Sequence, residues 1–459
     1  MIPAPGEARG SNRGGGCVGW FSQEALNEGV RKREVFGWAM YDFANSGYTT
    51  VVLTAVFNAY FVGVVAGNAS WATLAWTAAL GLSSVIVMLS MPALGAYADL
   101  RAAKKRLLAW TTAACVLATL ALAWAGEGDV AWAVAAIVLS NVFYSYGESL
   151  TAAFLPELAR REAMGRVSGW GWSFGYFGGM LSLGLSLGYV LWAQSRGLPA
   201  TQFVPVTMLI TAGVYGVASL ATFALLRERA QPQVQAEAAQ AAGAAGGGLG
   251  ESLRRLRDTW RHAQLYQDFR LLLACATAYQ AGIAVVIALA AVYAEQVLGF
   301  KQTETMLLVF LVNIASAVGA FAFGYFQDRI GHKRALGITL AGWIVMTLLA
   351  FMAQGPALFW VAAVIAGLCM GSSQSAGRAI AGLFAPPQRL AEFYGLWTFA
   401  VRLAAILGPV TYGLVTWVTA GNHRVAILST ALFFVVGLLL LRPVDVARGM
   451  QAAGSAVAE

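Results

Sequence analysis

Charged side chains are scarce in this chain. Asp, Glu, Lys and Arg together make up 11% of the 459 residues, whereas 59% are apolar. A water-soluble domain of this length cannot bury so much apolar surface, so the composition excludes the soluble globular class and indicates a membrane protein. The net charge of +8 does not indicate nucleic-acid binding, because the basic residues cluster at the ends of apolar runs, where membrane topology accounts for them.

Cysteine and histidine are also rare, and neither set has the spacing of metal ligands or of a disulfide framework. The chain lacks the G-x-x-x-x-G-K-[ST] phosphate-binding loop, and no short apolar segment with a cleavage site precedes the first long apolar run. We therefore expect no metal, no cofactor, no enzymatic activity and no signal peptide. The residues concerned are Cys17, Cys115, Cys275, Cys369, His262, His332 and His423.

Long apolar runs occupy most of the chain. A span needs about 20 apolar residues, and twelve runs meet that length, six in each half, which would put both termini on one side of the membrane. We place them near 36–65, 72–97, 107–125, 130–154, 167–193, 203–226, 270–298, 305–326, 335–354, 357–381, 391–418 and 424–441.

A polar turn between two apolar runs occurs twice, 229 residues apart, which is half the length of the chain. Such a repeat indicates two similar halves. An acid at the end of one span can face the positive N-terminal end of another helix and an arginine beside it, so we expect the turns to act as gates. The gating residues are Gly95, Asp99 and Arg101 in the first copy and Gly324, Asp328 and Arg329 in the second.

Lys and Arg are distributed unevenly between the two sides. The connections on one side contain only Arg196, Lys301 and Arg424, whereas both turns and the central segment on the other side are rich in basic residues. This asymmetry places both termini in the cytoplasm. The chain then divides into a cytoplasmic tail (1–34), a first six-helix bundle (35–226), a cytoplasmic linker (227–269), a second six-helix bundle (270–442) and a second cytoplasmic tail (443–459).

The linker has two parts. Residues 231–250 are low-complexity Ala, Gly and Gln, which predicts a flexible connection. Residues 251–269 combine leucines and a tryptophan with four arginines, a pattern typical of a basic amphipathic helix lying on anionic lipid. A simple tether between the halves and a regulatory element both fit this pattern.

The second copy of the turn, G-x-x-x-D-R-x-G-x-K-R, resembles the conserved cytoplasmic loop of the major facilitator superfamily. The first copy is looser, with Leu100 between Asp99 and Arg101, and Ala103 rather than glycine before Lys104. The resemblance implies an all-α polytopic membrane protein whose twelve transmembrane helices form two pseudo-symmetric six-helix bundles. It also implies alternating access around a central site, and a monomer.

The first span carries a narrower resemblance. Trp38-Ala-Met-Tyr41-Asp42-Phe43-Ala44-Asn45-Ser46-Gly47-Tyr48 is similar to the signature of the vacuolar amino-acid effluxers linked to autophagy and their bacterial relatives. That family usually has an acid and a glycine after the tyrosine of the seventh span, where this chain has Tyr279-Gln280, so the resemblance does not extend to any coupling or substrate role of that acid. Further similar segments include Phe154-Leu-Pro156-Glu157, Gly165-Arg166-Val167-Ser168-Gly169, Gly371-Ser372-Ser373-Gln374-Ser375 with Arg378, and Ala391-Glu392-Phe393-Tyr394-Gly395.

Ionisable side chains inside membrane spans are costly, so we take them as functional candidates. Asp42 lies about two turns into the first span, Glu148 in the fourth, Arg378 late in the tenth and Arg402 near mid-depth of the eleventh. The candidate set for substrate binding or coupling comprises these four residues and their polar neighbours Asn45, Tyr48, Asn141, Tyr144, Tyr279 and Gln374.

Each ionisable candidate has a structural alternative. Asp42 and Glu148 could couple transport to protons or bind a substrate amine, or could only pair with basic residues, Glu148 with Arg166 or Arg378. Arg402 could bind a substrate carboxylate, or pair permanently with Asp42 or Glu148. Protonation of a carboxylate frees its arginine, so such a pair could also be the switch for alternating access.

These observations predict a secondary active transporter that moves a small solute, with amino acids implied by the resemblance, under a proton or other gradient. An exporter of drugs or apolar compounds on the same fold is one alternative. A membrane receptor or enzyme without transport is another, disfavoured because no clustered His, Cys or acid set is present. We expect a multi-pass protein of the bacterial inner membrane, with lipid around its spans and both termini in the cytoplasm.

Overall fold

A computed structural model describes residues 21–232, 266–300 and 302–455. Most of the predicted first tail, including Cys17, lies outside the described residues. The linker from residue 233 to 265, with most of the predicted basic amphipathic helix and His262, lies outside them as well.

Within the described ranges, twelve helices are long and apolar enough to cross a membrane. The all-helical, twelve-span architecture predicted from the sequence is therefore confirmed. The first six are α1 (Lys32–Gly47, continued by Tyr48–Ala55, Phe57–Tyr60 and Phe61–Val65), α2 (Ala72–Arg101), α3 (Lys104–Ala121), α4 (Val130–Ala152, followed by Leu155–Leu158), α5 (Met164–Ser195) and α6 (Ala200–Leu225).

The second six helices begin three residues before the predicted bundle boundary at 270. They are α7 (Gln267–Leu298), α8 (Gln302–Ile330), α9 (His332–Met352), α10 (Pro356–Phe384), α11 (Leu390–Val418) and α12 (His423–Leu441); a shorter helix, α13 (Val446–Ser455), follows them.

Local chemistry ends and starts several of these helices. Gly299 has φ +70° at the end of α7, and Gly331 has φ +92° between α8 and α9, both in the left-handed region that glycine adopts without strain. Pro356 occupies the first turn of α10, where its missing N–H would have no helical partner. The Asn422 side chain accepts a hydrogen bond from the Val425 amide and caps α12.

The helices form two bundles with the same packing scheme. In the first bundle α1 packs on α5 and α6, and α4 on α2 and α3; six helices later, α7 packs on α11 and α12, and α10 on α8 and α9. The bundles meet along α2 against α11 and along α5 against α8. The face on which α1 begins and α12 ends, called the terminal face below, also carries both repeated turns.

The far half of α1 is wound more widely than an α-helix. Tyr48–Ala55 and Phe61–Val65 are π-helical, and a bend at Val56 interrupts the span. One stripe of buried side chains recurs every four or five residues here, a spacing close to one π-helical turn, and Val51 and Tyr60 are buried beside it. Rare π-helical segments are frequent at functional sites, and this one follows Asp42 and Asn45 directly. The buried stripe consists of Tyr48, Val52, Phe57, Phe61 and Val65.

The chain ends are packed against the bundles where the structure describes them. In the first predicted tail, Leu26 bridges to Ala159, and the Asn27 side chain donates to the Pro156 carbonyl at 2.9 Å. In the second predicted tail, Arg448 of α13 forms a bidentate ion pair with Asp268 at the start of α7. Its Nε donates to Oδ2 at 2.6 Å, and its Nη2 donates to Oδ1 at 2.7 Å. These partners are distant in sequence, so composition alone predicted plain tails.

Candidate functional site

The turn between α8 and α9 binds the start of α5. The Asp328 carboxylate accepts hydrogen bonds from the backbone amides of Gly165 (2.9 Å) and Arg166 (3.2 Å), and Arg166 Nε lies 3.2 Å from Asp328 Oδ2. The first amides of a helix have no partner within the helix and lie at its positive end, so a carboxylate is stabilised there. A side chain at Gly324 would press on the backbone of Gly165 and Arg166, so glycine permits this close approach.

The turn between α2 and α3 makes the equivalent contact with α11. Asp99, which is 3% exposed, accepts hydrogen bonds from the amides of Ala391 (3.1 Å) and Glu392 (2.9 Å). A side chain at Gly95 would overlap the Ala391 carbonyl. Each bundle thus inserts an acid against the N-terminus of a helix in the other bundle, and together these contacts join the two bundles at the terminal face.

The two arginines predicted in the turns lie elsewhere. The Arg101 guanidinium lies over the Tyr97 ring at 5.8 Å, and Arg329 is exposed on the terminal face. The cation beside Asp328 is supplied by Arg166 of the other bundle instead.

Deeper in the membrane, Arg378 of α10 reaches into the first bundle. Its Nη1 lies 2.7 Å from Asp42 Oδ2, its Nε donates to Ser168 Oγ at 3.1 Å, and its Nη2 donates to the Ser168 carbonyl at 2.8 Å. The guanidinium also lies over the rings of both Trp38 and Trp172, 4.8 and 5.2 Å from their centroids. The side chains of Arg378 and Asp42 are only 7% and 11% exposed, so this ion pair is enclosed and its arginine is well satisfied.

The second ion pair inside the membrane joins Arg402 of α11 to Glu148 of α4. Arg402 Nη2 lies 3.1 Å from Glu148 Oε2, and the Glu148 side chain is 38% exposed, so this carboxylate is more accessible than that of Asp42. The Arg402 Nε is buried and has no hydrogen-bond partner among the described residues. Unlike Arg378, this arginine retains a donor without a partner and is paired with a carboxylate that is partly exposed.

These two ion pairs show which of the pairings left open by the sequence occur in the structure. Arg402 pairs with Glu148 rather than with Asp42, and Glu148 pairs with neither Arg166 nor Arg378. Arg378 and Asp42 nevertheless act electrostatically on the Glu148 carboxylate, so the two pairs form one charged region that crosses the bundle interface.

Three of the predicted polar residues face the interior of the first bundle. The Tyr48 hydroxyl is 2.8 Å from Ser140 Oγ, and the Tyr48 ring stacks on Tyr144 with centroids 5.1 Å apart. Asn141 donates to Ser83 Oγ at 2.6 Å. Tyr144 still lies close enough to Glu148 to be affected by its charge, whereas Tyr48 and Asn141 are held within the bundle.

The predicted residues of the second bundle form a separate polar contact. Gln280 of α7 donates to Gln374 at 2.7 Å, and Gln374 donates back at 3.3 Å, so the two amides pair reciprocally. Tyr279 is completely buried, and Asn45 in the first bundle is 4% exposed. Gln280 stands at the position where the resembling family usually has an acid. Its partner, Gln374, lies one helical turn before Arg378 on α10.

Sequence analysis did not identify Trp38 and Ser168 as site residues. Both lie in segments that resemble the effluxer family, which was the available signal. Ser168 is 210 positions from Arg378, so only the packed bundles reveal that they meet. In the described part of the chain no group of three or more His, Cys, Asp or Glu residues could hold a metal ion.

Comparisons with known proteins agree on one family and one fold. The family model described as "Vacuole effluxer Atg22 like" matches residues 59–454. YxiO, an uncharacterized MFS-type transporter of Bacillus subtilis (strain 168), is 25% identical over 422 residues, which are 88% of this chain and 93% of YxiO.

A fungal relative and a solved structure are also similar. Autophagy-related protein 22-1 of Aspergillus fumigatus is 28% identical over 225 residues, 46% of this chain, and the match spans only 36% of that protein. The proton:xylose symporter XylE, solved with 6-bromo-6-deoxy-D-glucose bound, superposes with a TM-score of 0.69 and 16% identity over 92% of this chain and 98% of XylE, a likeness of fold alone.

Proposed function

This chain belongs to the family of Atg22-like vacuole effluxers and has the major facilitator fold, so it is a multi-pass membrane transporter and not an enzyme, and we propose that it carries amino acids by alternating access. The family resemblance predicted from the sequence is confirmed. The proposal concerns the substrate, its binding site and the energy source.

The observation that carries the proposal is the Arg402–Glu148 pair. The arginine has an unused donor at Nε, and the carboxylate side chain is 38% exposed. A zwitterionic amino acid offers a carboxylate to Arg402 and an ammonium group to Glu148, so it replaces one ion pair by two charge-assisted contacts. Because the two residues belong to different bundles, the bound solute would bridge them.

The enclosed Asp42–Arg378 pair has a different role in this proposal. Arg378 already uses its donors on Asp42 and Ser168 and is nearly buried. Breaking a buried ion pair leaves an uncompensated charge, which costs about 3–5 kcal/mol. The pair therefore acts with Asp99 and Asp328 to keep the terminal face closed while solute enters from the opposite side.

A proton gradient is the proposed energy source. Protonation of Glu148 would remove its attraction for Arg402 and release the contact between α4 and α11. XylE, which has the same fold, is named a proton:xylose symporter. In this proposal the terminal face lies in the cytoplasm of a bacterial inner membrane, in agreement with the excess of Lys and Arg on that face, and the protein works as a monomer.

Uptake into proteoliposomes tests the proposal. With radiolabelled neutral amino acids and an imposed pH gradient, we expect accumulation that Arg402→Ala and Glu148→Gln each reduce at least 100-fold, since a charge-assisted contact contributes about 1.5–3 kcal/mol and each variant also leaves its partner unpaired. Arg424→Ala is the matched control, because Arg424 donates to the Phe351 carbonyl at the opposite face and should leave uptake unchanged.

The same assay separates the proposal from the drug-exporter alternative. If lipophilic dyes move while amino acids do not, or if uptake survives in both Arg402→Ala and Glu148→Gln, the assignment of this pair as the substrate site is wrong.

A further inference from the structure

The groups that surround the Arg378 guanidinium form a cage on the first bundle alone. Trp38 and Asp42 belong to α1, and Ser168 and Trp172 to α5, whereas the cation comes from α10 of the other bundle. We call these four residues the α1–α5 cage. Two aromatic faces, a carboxylate, a hydroxyl and a carbonyl around one planar cation are what recognition of a guanidinium group requires.

Contacts within the first bundle hold α1 and α5 together around the cage. Trp38 Nε1 donates to the Thr151 carbonyl at 2.9 Å, which anchors that ring within the first bundle. Gly175 and Gly178 let α5 approach the backbone of α1 closely, at Asp42 and Phe43. The same four groups should therefore remain together when the bundles separate.

Gly171 provides the space that the cation occupies. A Cβ atom there would lie 2.6 Å from Asp42 Oδ2, 2.7 Å from Arg378 Nη2 and 2.7 Å from the Trp38 ring. The cage is thus fitted to a flat cation and not merely lined by aromatic packing.

We propose that the α1–α5 cage is a binding site for guanidinium groups, filled by Arg378 while the terminal face is closed and accessible to guanidinium-bearing solutes when it is open. The accessible state follows from the alternating access of the proposed function. A solute bound there would compete with Arg378 and hold the terminal face open. This site is distinct from Arg402–Glu148 and takes a cation rather than a zwitterion.

Emptying the cage genetically tests the site without any transport measurement. The probe is methylguanidinium, which has the same planar set of donors as the arginine side chain that is missing in full-length Arg378→Ala. We expect millimolar methylguanidinium chloride to raise the thermal unfolding temperature of this variant saturably, relative to sodium chloride at equal ionic strength. The wild type, whose cage is occupied, should show no such shift.

Second substitutions in the Arg378→Ala background identify the contacts. Asp42→Asn should weaken methylguanidinium binding at least tenfold, since the carboxylate is the anionic partner. Trp172→Leu should weaken it about fivefold, as expected for loss of one cation–π contact of about 1 kcal/mol. The single variant Arg402→Ala is the control, because it leaves a carboxylate, Glu148, unpaired without emptying the cage. Methylguanidinium should stabilise Arg402→Ala less than it stabilises Arg378→Ala.

The Asp99→Asn/Asp328→Asn double variant should make the cage accessible to methylguanidinium while Arg378 is still present, because it weakens closure of the terminal face. Methylguanidinium should stabilise this variant also, which covers the case in which Arg378→Ala does not fold. No saturable shift in either variant, an equal shift in the wild type, or a shift that survives both Asp42→Asn and Trp172→Leu would overturn the proposal. Amino-acid uptake by the wild type is a separate readout, so the two proposals can fail independently.

Discussion

Closure of the terminal face should depend more on Asp328 than on Asp99. Asp328 accepts two backbone hydrogen bonds and pairs with Arg166, whereas the described contacts of Asp99 are two backbone hydrogen bonds. Replacing either acid by asparagine keeps one acceptor oxygen but turns an NH₂ group toward an amide donor. Hydrogen bonds to charged groups contribute about 1.5–3 kcal/mol each, so either change should cost the closed state about 2–4 kcal/mol.

The difference between the two variants comes from the arginine. The Arg166 side chain is 28% exposed, so its ion pair is partly screened and contributes about 0–1 kcal/mol. Near Asp99 the Lys104 ammonium attracts the carboxylate and the Glu392 carboxylate repels it, so these two charges partly offset each other. We therefore expect Asp328→Asn to lower the closed-to-open ratio about 30- to 1000-fold. The decrease caused by Asp99→Asn should be smaller than this by a factor of up to about five.

Spin labels at two exposed positions of the terminal face can measure this ratio. Arg161 precedes α5 in the first bundle and Arg334 begins α9 in the second, and both side chains are exposed. Pulsed electron paramagnetic resonance between these sites should show a longer distance gaining population in Asp328→Asn, and less in Asp99→Asn. An unchanged distance distribution in Asp328→Asn, or a larger shift in Asp99→Asn, would refute the assignment of these contacts as the closing elements.

Two further predictions follow from close contacts. Gly95→Ala should open the terminal face and slow uptake because its Cβ would overlap the Ala391 carbonyl, whereas Gly81→Ala, which meets open space, should leave both unchanged in the same distance and uptake assays. Arg448→Ala should loosen α13, because Asp268 would lose both hydrogen bonds from the guanidinium and keep only the one from the Asp445 amide. Hydrogen exchange across Val446–Ser455 should then rise, and protection as in the wild type would show that the ion pair does not hold this helix.

Periodicity and charge along the sequence were enough to predict the membrane class, the twelve spans and the two halves. A span is a local property, since about 20 consecutive apolar residues suffice to cross the bilayer. The repeated turn is also local: the spacing of Gly324 and Asp328 recurs in Gly95 and Asp99 and can be recognised without a structure. The family resemblance lay in short segments of the same kind.

Only the tertiary structure decided which charges meet. The sequence presented Asp42, Glu148, Arg378 and Arg402 as unpaired candidates, and several pairings were equally consistent with it. Packing of the bundles brings Asp42 to a residue 336 positions away and Glu148 to one 254 positions away. The cost of an unpaired charge in the membrane guarantees that partners exist, but helix rotation and depth determine which ones, and these depend on contacts between bundles that no local pattern encodes.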